Sequence, residues 1–220
     1  MPRRILLPVL FALCGAAASW PGSTQEPRFP PTPEPPAERT SLPATPIASR
    51  ELLAALREGG LILYFRHTST DMSRDDSRSR GDEDCENQRP LTDAGRNEAR
   101  QIGAAFRELK IPVREVLASP RCRTMETAML AFGRAHGTRA VRGGPATPDD
   151  PDRYAALRKL LSTSVGPGAN LVISSHGNPI YAVAGAPYLE EGEALVIRPL
   201  GNDFEVVARV RYDEWRALLR

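Results

Sequence analysis

The chain has 220 residues, 41% of them hydrophobic, with 29 Lys and Arg residues against 27 Asp and Glu residues. This length and composition suit one domain of ordinary size with appendages. The formal net charge of +2 is too small to indicate nucleic-acid binding driven by bulk charge, so we expect no nucleic-acid partner.

The first 18 residues have the order of a secretory signal: two arginines, an apolar stretch and a group of alanines that ends at Ala18. At roughly 14 residues the apolar stretch is short for a membrane span, which needs about 20. We expect a signal peptide over residues 1–18, cleavage near Ala18, no stable membrane insertion afterwards and a periplasmic or secreted protein. An uncleaved anchor and lipidation at Cys14 are the alternatives, although bulky Leu13 precedes Cys14 where a lipid-attachment signal normally has a small residue.

Residues 19–48 are rich in proline and poor in large apolar residues, which is typical of a disordered linker. The folded domain is expected over residues 49–220. It begins with a helix that Ser49 caps and two glycines end, and an apolar strand starts at Leu61. The polar stretch 68–90 cannot bury much apolar surface, so we expect it to be a long loop or lid over the strand ends.

Strands and helices alternate in the remainder of the chain. A helix capped by Thr92 has its apolar residues at helical spacing. The later expected elements are a strand at 115–119, a helix at 121–135, an extended piece at 138–142, a loop at 145–151, a helix at 152–162, strands at 170–175, 193–198 and 204–209, and a final helix at 212–219. This order predicts an α/β fold, a three-layer sandwich whose open, mostly parallel sheet is flanked by helices.

Polar side chains follow three of the expected strands. His67 comes after the first strand, Arg121 and Arg123 come after the second, and His176 comes after the strand at 170–175. Because ligands bind outside the carboxyl ends of parallel strands, where helix N-termini also point, we expect these side chains to meet at one sheet edge. Two histidines among arginines indicate an anion site that contains a nucleophile.

Four short segments lie in a fixed order along these elements. They are Arg66-His67-Thr68-Ser69-Thr70, Leu91-Thr92-Asp93-Ala94-Gly95, the stretch from Ser119 to Ala128, and Ser175-His176-Gly177. Together they resemble the segments of the histidine phosphatase superfamily, which has the phosphoglycerate-mutase-like fold. Thr68 stands where that family's Arg-His-Gly-x-Thr signature has glycine. The resemblance covers nearly the whole expected domain.

The resemblance implies a metal-independent phosphatase that needs no cofactor. Neutral His67 would attack phosphorus and form a phosphohistidine, from which water would release phosphate. Arg66, His176 and a second arginine would hold the phosphate oxygens. The family spacing places Arg123 as that second arginine, with Arg121 as an auxiliary. A hydrogen-bond acceptor such as a backbone carbonyl should hold the other ring nitrogen of His67.

The acidic residue that would protonate the leaving group is not at either position where the family has it. No glutamate occurs between residues 132 and 168, and Gly177 follows the second histidine where one branch of the family has aspartate. We expect Glu193 to be the general acid, and a solvated residue at a strand edge is its alternative interpretation. The other candidate carboxylates are Asp71, Asp149 and Asp150. Without a strong acid, substrates with good leaving groups are favoured and a mutase is disfavoured.

Cys85 and Cys122 would be the two cysteines of the mature chain. In an exported protein, which meets an oxidising environment, they can form a disulfide. We expect a disulfide that ties the lid to the turn after the second strand, with two free buried thiols as the alternative. We expect no metal site, because three histidines spread along the chain do not form the dense cluster that a metallohydrolase needs.

The sequence therefore predicts an exported phosphomonoesterase that acts through phosphohistidine on a small phosphorylated substrate, such as an envelope sugar phosphate. The alternative is a catalytically weak phosphate-binding or regulatory protein that has kept the pocket. The sequence leaves the oligomeric state open.

Overall fold

The structure is a computed structural model that describes residues 49–144, 152–185 and 187–220. The signal peptide and linker expected over residues 1–48 lie outside these residues, as do Cys14, Asp149 and Asp150. No helix within the described ranges is both long enough and apolar enough to cross a membrane.

One open sheet forms the centre of the domain. Its strands are β1 (Ile62–Arg66), β2 (Val113–Ala118), β3 (His136–Gly137), β4 (Asn170–Ser175), β5 (Ala194–Pro199) and β6 (Phe204–Val210). Their order across the sheet is β3-β2-β4-β1-β5-β6. The first four are parallel, β5 is antiparallel to β1, and β6 is antiparallel to β5. The expected α/β fold with a mostly parallel sheet is confirmed.

Helices cover both faces of this sheet. They are α1 (Ser49–Glu58), α2 (Asp93–Leu109), α3 (Cys122–Phe132), α4 (Ala155–Ser162) and α5 (Gly177–Ala184). Three 3₁₀ turns lie at Cys85–Asn87, Arg139–Val141 and Trp215–Leu219. The predicted N-cap of α2 forms, because the Thr92 hydroxyl accepts the Gly95 N–H at 3.0 Å.

Alternation along β1 divides the core into two layers. Leu63 and Phe65 belong to a cluster of buried apolar residues with α1, α2 and α3, whereas Ile62 and Tyr64 belong to a second cluster with α4 and α5. Successive side chains of a strand point to opposite faces, so a continuous apolar strand must be covered on both sides. This arrangement is the expected three-layer sandwich.

Two local predictions were wrong and one helix was missed. The piece 138–142 is not extended, because β3 pairs two residues earlier and a 3₁₀ turn over Arg139–Val141 buries Val141 completely in the second cluster. The final element is a 3₁₀ turn around buried Trp215 rather than an α-helix. Helix α5 was missed because Gly177-Asn178-Pro179 is typical of a turn; here the proline lies in the first helical turn, where its missing N–H leaves no bond unmade.

The segment 68–90 is the expected long loop, and we call it the lid. Its ends meet, since Asp71 donates its N–H to Pro90 O at 3.0 Å and Thr92 donates to Ser69 O at 3.0 Å. The expected disulfide is present and joins Cys85 of the lid to Cys122 at the start of α3. Buried Gln88 adds a second tie, because its Oε1 accepts the Cys122 N–H at 3.0 Å. The lid is therefore fixed beside the first turn of α3.

Candidate active site

Strand register brings the two histidines together. Arg66 of β1 is opposite Ser175 of β4, so the residues that follow them are neighbours. The His67 N–H donates to Ser175 O at 2.9 Å, and the ring centroids of His67 and His176 are 5.5 Å apart. Ser119 continues β2 at the same edge, since its N–H donates to Ser174 O at 2.9 Å. The expected meeting of three strand ends is the arrangement found here.

His67 is held as a neutral imidazole with one free nitrogen. Its side chain is 2% exposed, and its Nδ1 lies 3.0 Å from the carbonyl oxygen of Thr68. An imidazole nitrogen facing a carbonyl carries the proton, so Nε2 keeps its lone pair. Burial, followed by the charges of Arg123, Arg66 and Arg89, lowers the pKa of His67 to about 3 against the opposing effect of the Thr68 carbonyl. A neutral, oriented nitrogen is what nucleophilic attack requires.

Thr68 stands where the signature described above has glycine, and its side chain is packed inside the site. It is fully buried, and its hydroxyl lies 3.2 Å from the hydroxyl of Thr127 on α3. The Thr68 N–H donates to the same Thr127 oxygen at 3.3 Å. This departure from the signature therefore adds a contact between the loop that follows His67 and the helix that carries Arg123.

His176 is also buried and fixed in orientation. Its Nε2 lies 2.9 Å from the Ser119 hydroxyl, and its carbonyl accepts the Tyr64 hydroxyl at 2.9 Å. Burial, then electrostatic coupling to His67 and the charges of the neighbouring arginines, places its pKa well below 6.5. The backbone at Gly143 packs on the ring, because a Cβ there would be 2.9 Å from the His176 Cδ2.

Arg66 is oriented by the loop that precedes β5. Its NH1 donates to Leu189 O at 2.9 Å and its NH2 donates to Glu191 Oε1 at 3.2 Å. The ring of Tyr188 lies 5.4 Å from the guanidinium carbon, a cation–π distance. Gly177 makes room for that ring, since a Cβ at this position would overlap Tyr188.

Both candidate second arginines reach the lid. Arg123, in the first turn of α3, is 7% exposed, and its NH1 contacts Asp76 Oδ1 at 3.1 Å and Oδ2 at 3.0 Å. Its Nε is buried without a hydrogen-bond partner among the described residues. Arg121 is the N-cap of α3 and donates from NH1 to Ser79 Oγ at 3.0 Å. Arg123 is the more buried of the two, and its charge lowers the pKa of both histidines.

Glu193 is brought to the sheet edge, but its carboxylate is engaged elsewhere. It accepts hydrogen bonds from Arg209 Nε at 2.6 Å and NH2 at 2.5 Å, and from the Glu190 N–H at 2.8 Å. It is 7% exposed, so it is not the solvated residue of the alternative interpretation either. These contacts give Glu193 a structural place and do not favour it as the proton donor.

Asp71 does not face the histidines. Its Oδ1 accepts the N–H and the hydroxyl of Ser73 at 3.0 and 2.6 Å in an exposed turn of the lid, and these hydrogen bonds lower its pKa. The aspartate therefore caps a turn.

Three residues of the site were missed in the sequence, namely Asp76, Arg89 and Glu191. Asp76 and Arg89 lie in a mixed-charge loop that has no strand register to place them. Glu191 is two residues before Glu193, and Gly192 between them has a φ of +77°. The Gly192 N–H donates to His67 O at 3.0 Å, so this turn is bound directly to the backbone of His67. The Glu-Gly-Glu pattern at residues 191–193 is the sequence feature from which Glu191 could have been recognised as a second candidate carboxylate.

The Asp76 carboxylate is paired with the Arg123 guanidinium, which a bound phosphate would need as a hydrogen-bond donor. Burial raises its pKa, but a hydrogen bond from the Arg89 N–H and the charge of Arg123 outweigh burial, and the net pKa is lowered. The carboxylate is therefore ionised at neutral pH and competes with an incoming anion for the Arg123 guanidinium.

We expect Asp76→Asn to tighten the binding of inorganic phosphate about tenfold, because a negative charge beside the anion is removed. Calorimetric titration at pH 7 measures this affinity. Asp75→Asn is the matched control, since Asp75 is an exposed neighbour whose Oδ1 only accepts from Ser77. Unchanged or weaker phosphate binding in Asp76→Asn would contradict the competition.

Among the described residues, no group of three or more His, Cys, Asp or Glu side chains is arranged to hold a metal ion. A large groove of about 1090 Å³ lies between the lid and α3, and Arg123 and Arg89 line it.

The family model of the histidine phosphatase superfamily (branch 1) matches residues 62–142, from β1 to the turn before Gly143. The match includes His67 and Arg123 and ends before His176. No curated protein matches the chain significantly.

Several solved structures are similar in fold. The protein histidine phosphatase SixA complexed with tungstate is 16% identical with a TM-score of 0.46, covering 69% of this chain and 97% of its own. Bacillus stearothermophilus YhfR is 16% identical with a TM-score of 0.46, over 67% of this chain and 95% of its own. A phosphoserine phosphatase mutant from Entamoeba histolytica in complex with phosphoserine is 11% identical with a TM-score of 0.48, over 70% and 98%.

Proposed function

We propose that the chain is a phosphatase of the histidine phosphatase superfamily, whose family model matches residues 62–142, and that it hydrolyses a small phosphomonoester through a phosphohistidine on His67, without a metal ion. One observation carries the proposal: His67 is buried and neutral, and a carbonyl holds its Nδ1 so that Nε2 is available. Arg66, Arg123 and His176 surround it as donors for a phosphoryl group.

In the first step the lone pair of Nε2 forms a bond to phosphorus while the bond to the leaving oxygen breaks. The leaving oxygen keeps the electron pair of that bond and takes a proton from water. The arginines and His176 hold the three non-bridging oxygens and stabilise their charge. In the second step water attacks phosphorus, the N–P bond breaks, and inorganic phosphate leaves with His67 again neutral. Both steps use only groups of this chain and water.

The leaving oxygen limits the substrate class. Among the described carboxylates considered as acids, Glu193 is bound to Arg209, and Asp71 caps an exposed turn. If neither of these two described carboxylates donates a proton, the site acts best on leaving oxygens that need little protonation, such as those of acyl or anomeric phosphates. An envelope sugar phosphorylated at its anomeric oxygen fits this class.

Export is the second part of the proposal. A disulfide between Cys85 and Cys122 is typical of oxidising compartments, and the sequence begins with the pattern of a secretory signal. We propose that the protein is periplasmic or secreted, with no membrane insertion after cleavage.

A second candidate function is a phosphate-binding or regulatory protein of the same fold. The engagement of Glu193 by Arg209 favours it, because the carboxylate expected to protonate the leaving group is not free to do so. Turnover separates the two functions.

The test is hydrolysis of an aryl phosphate by the purified full chain, with and without EDTA, together with trapping of the phosphorylated enzyme. We expect EDTA-resistant turnover and a phosphoprotein that is labile in acid and stable in alkali. A phosphoprotein with the opposite stability would exclude phosphohistidine. Binding of phosphate without turnover or phosphoprotein would establish the second candidate function.

A further inference from the structure

We propose that Glu191 is a positioning residue that acts through His67 and Arg66: it fixes Arg66 and balances the positive charge that the His67 ring acquires on attack. This inference rests on the proposed function. Glu191 lies after the second histidine, in the same turn as Glu193, which the sequence pattern had favoured as a site residue.

Both oxygens of Glu191 are bound at the base of the lid and at Arg66. Oε1 accepts the Thr70 hydroxyl at 2.7 Å and Arg66 NH2 at 3.2 Å, and Oε2 accepts the Thr70 N–H at 3.0 Å. The same Oε1 lies 3.8 Å from His67 Nδ1 and 4.0 Å from Arg89 NH2. The carboxylate therefore contacts the phosphate-binding arginine and lies beside the nucleophile at once.

The turn that carries Glu191 is held on both sides. On one side the Gly192 N–H donates to His67 O at 3.0 Å. On the other side Glu193 accepts from the Glu190 N–H and from Arg209. Glu193 thus acts as the support of the turn, while Glu191 is presented to the site. Its side chain is 18% exposed, which limits screening by water.

The chemistry of the first step explains why a carboxylate is needed there. His67 starts neutral with its proton on Nδ1, and bond formation at Nε2 leaves the ring with a positive charge. Burial and the surrounding arginines oppose that charge. In the part of the chain that the structure describes, Glu191 provides the one carboxylate within 4.0 Å of a His67 nitrogen. An opposite charge at this distance stabilises the transition state more than the neutral ground state.

The experiment compares Glu191→Gln with Glu190→Gln in the full chain. The control is adjacent in sequence, but the Glu190 side chain is 66% exposed and pairs with Arg211 at the surface. Rapid-quench phosphorylation by an aryl phosphate and calorimetric binding of inorganic phosphate are measured for each. We expect Glu191→Gln to phosphorylate at least about tenfold more slowly while phosphate binds as tightly or more tightly, because a negative charge is lost. Glu190→Gln should match the wild type.

Glu191→Asp keeps the charge, and we expect it to phosphorylate faster than Glu191→Gln. If phosphate affinity and phosphorylation rate fall together in Glu191→Gln, the residue only holds Arg66, and the charge-balancing role is wrong. If the wild type forms phosphohistidine and Glu191→Gln forms it equally fast, the inference fails and the proposed function stands. If the wild type forms none, both fail.

Discussion

His67→Ala should lower the hydrolysis of an aryl phosphate by at least about 10⁴-fold and abolish the phosphorylated enzyme. This change removes the nitrogen that we propose as the nucleophile, and His176 cannot replace it, because its ring is held through the Nε2 contact with Ser119. Steady-state rates and acid-labile phosphate incorporation, measured on the same preparation, check this expectation.

His136→Ala is the control for His67→Ala. His136 lies on the two-residue edge strand β3 and is exposed, so its removal should leave the rate unchanged. Substantial hydrolysis by His67→Ala would show that another group is the nucleophile.

The stability of His67→Ala should depend less on acid pH than the stability of the wild type. The pKa of His67 is about 3 in the folded protein, whereas an unfolded histidine titrates near 6.5. Between these values the unfolded chain binds a proton that the folded protein does not, so His67 destabilises the fold as the pH drops below 6.5. Between pH 7 and 4.5 this effect removes roughly 2–3 kcal/mol from the free energy of unfolding. Urea unfolding at the two pH values should show a smaller loss in His67→Ala, which also demonstrates that the variant folds.

Arg123→Ala should reduce kcat/KM by about 10²- to 10³-fold, and Arg121→Ala by about tenfold. Arg123 is nearly fully buried and acts electrostatically on both histidines, so its charge is poorly screened where phosphate would bind. Arg121 is more exposed and donates to Ser79 of the lid. Kinetics on an aryl phosphate, with phosphate as a competitive inhibitor, compare the two variants.

Arg139→Ala is the control for the arginine pair, because Arg139 pairs with Asp82 of the same lid but its side chain is 80% exposed. It should keep the wild-type rate. Arg123→Lys retains a positive charge and guards against misfolding of the alanine variant; it should recover part of the rate. A larger loss for Arg121→Ala than for Arg123→Ala would reverse the assignment of the second phosphate arginine.

The sequence alone was sufficient to predict those features of the fold that follow from local residue patterns and from the order of the strands. The apolar runs that end at His67 and His176 predicted parallel strands, and neighbouring strands place the residues that follow them at one edge. Cys85 and Cys122 were paired correctly because only two cysteines remain after the expected cleavage. The polar lid was recognised because it lacks the apolar residues of a buried element.

Only the tertiary structure decided which charged side chains enter the site. Glu191 and Glu193 are separated by one glycine, and the left-handed turn at Gly192 directs the first to Arg66 and the second to Arg209. The pairing of Asp76 with Arg123 joins residues 47 positions apart across a loop without periodicity. Charged loop residues have no burial pattern in sequence, because their positions follow from long-range hydrogen bonds and ion pairs rather than from local conformational preference. The sheet edge could therefore be predicted from the sequence, whereas the choice among its carboxylates required the folded chain.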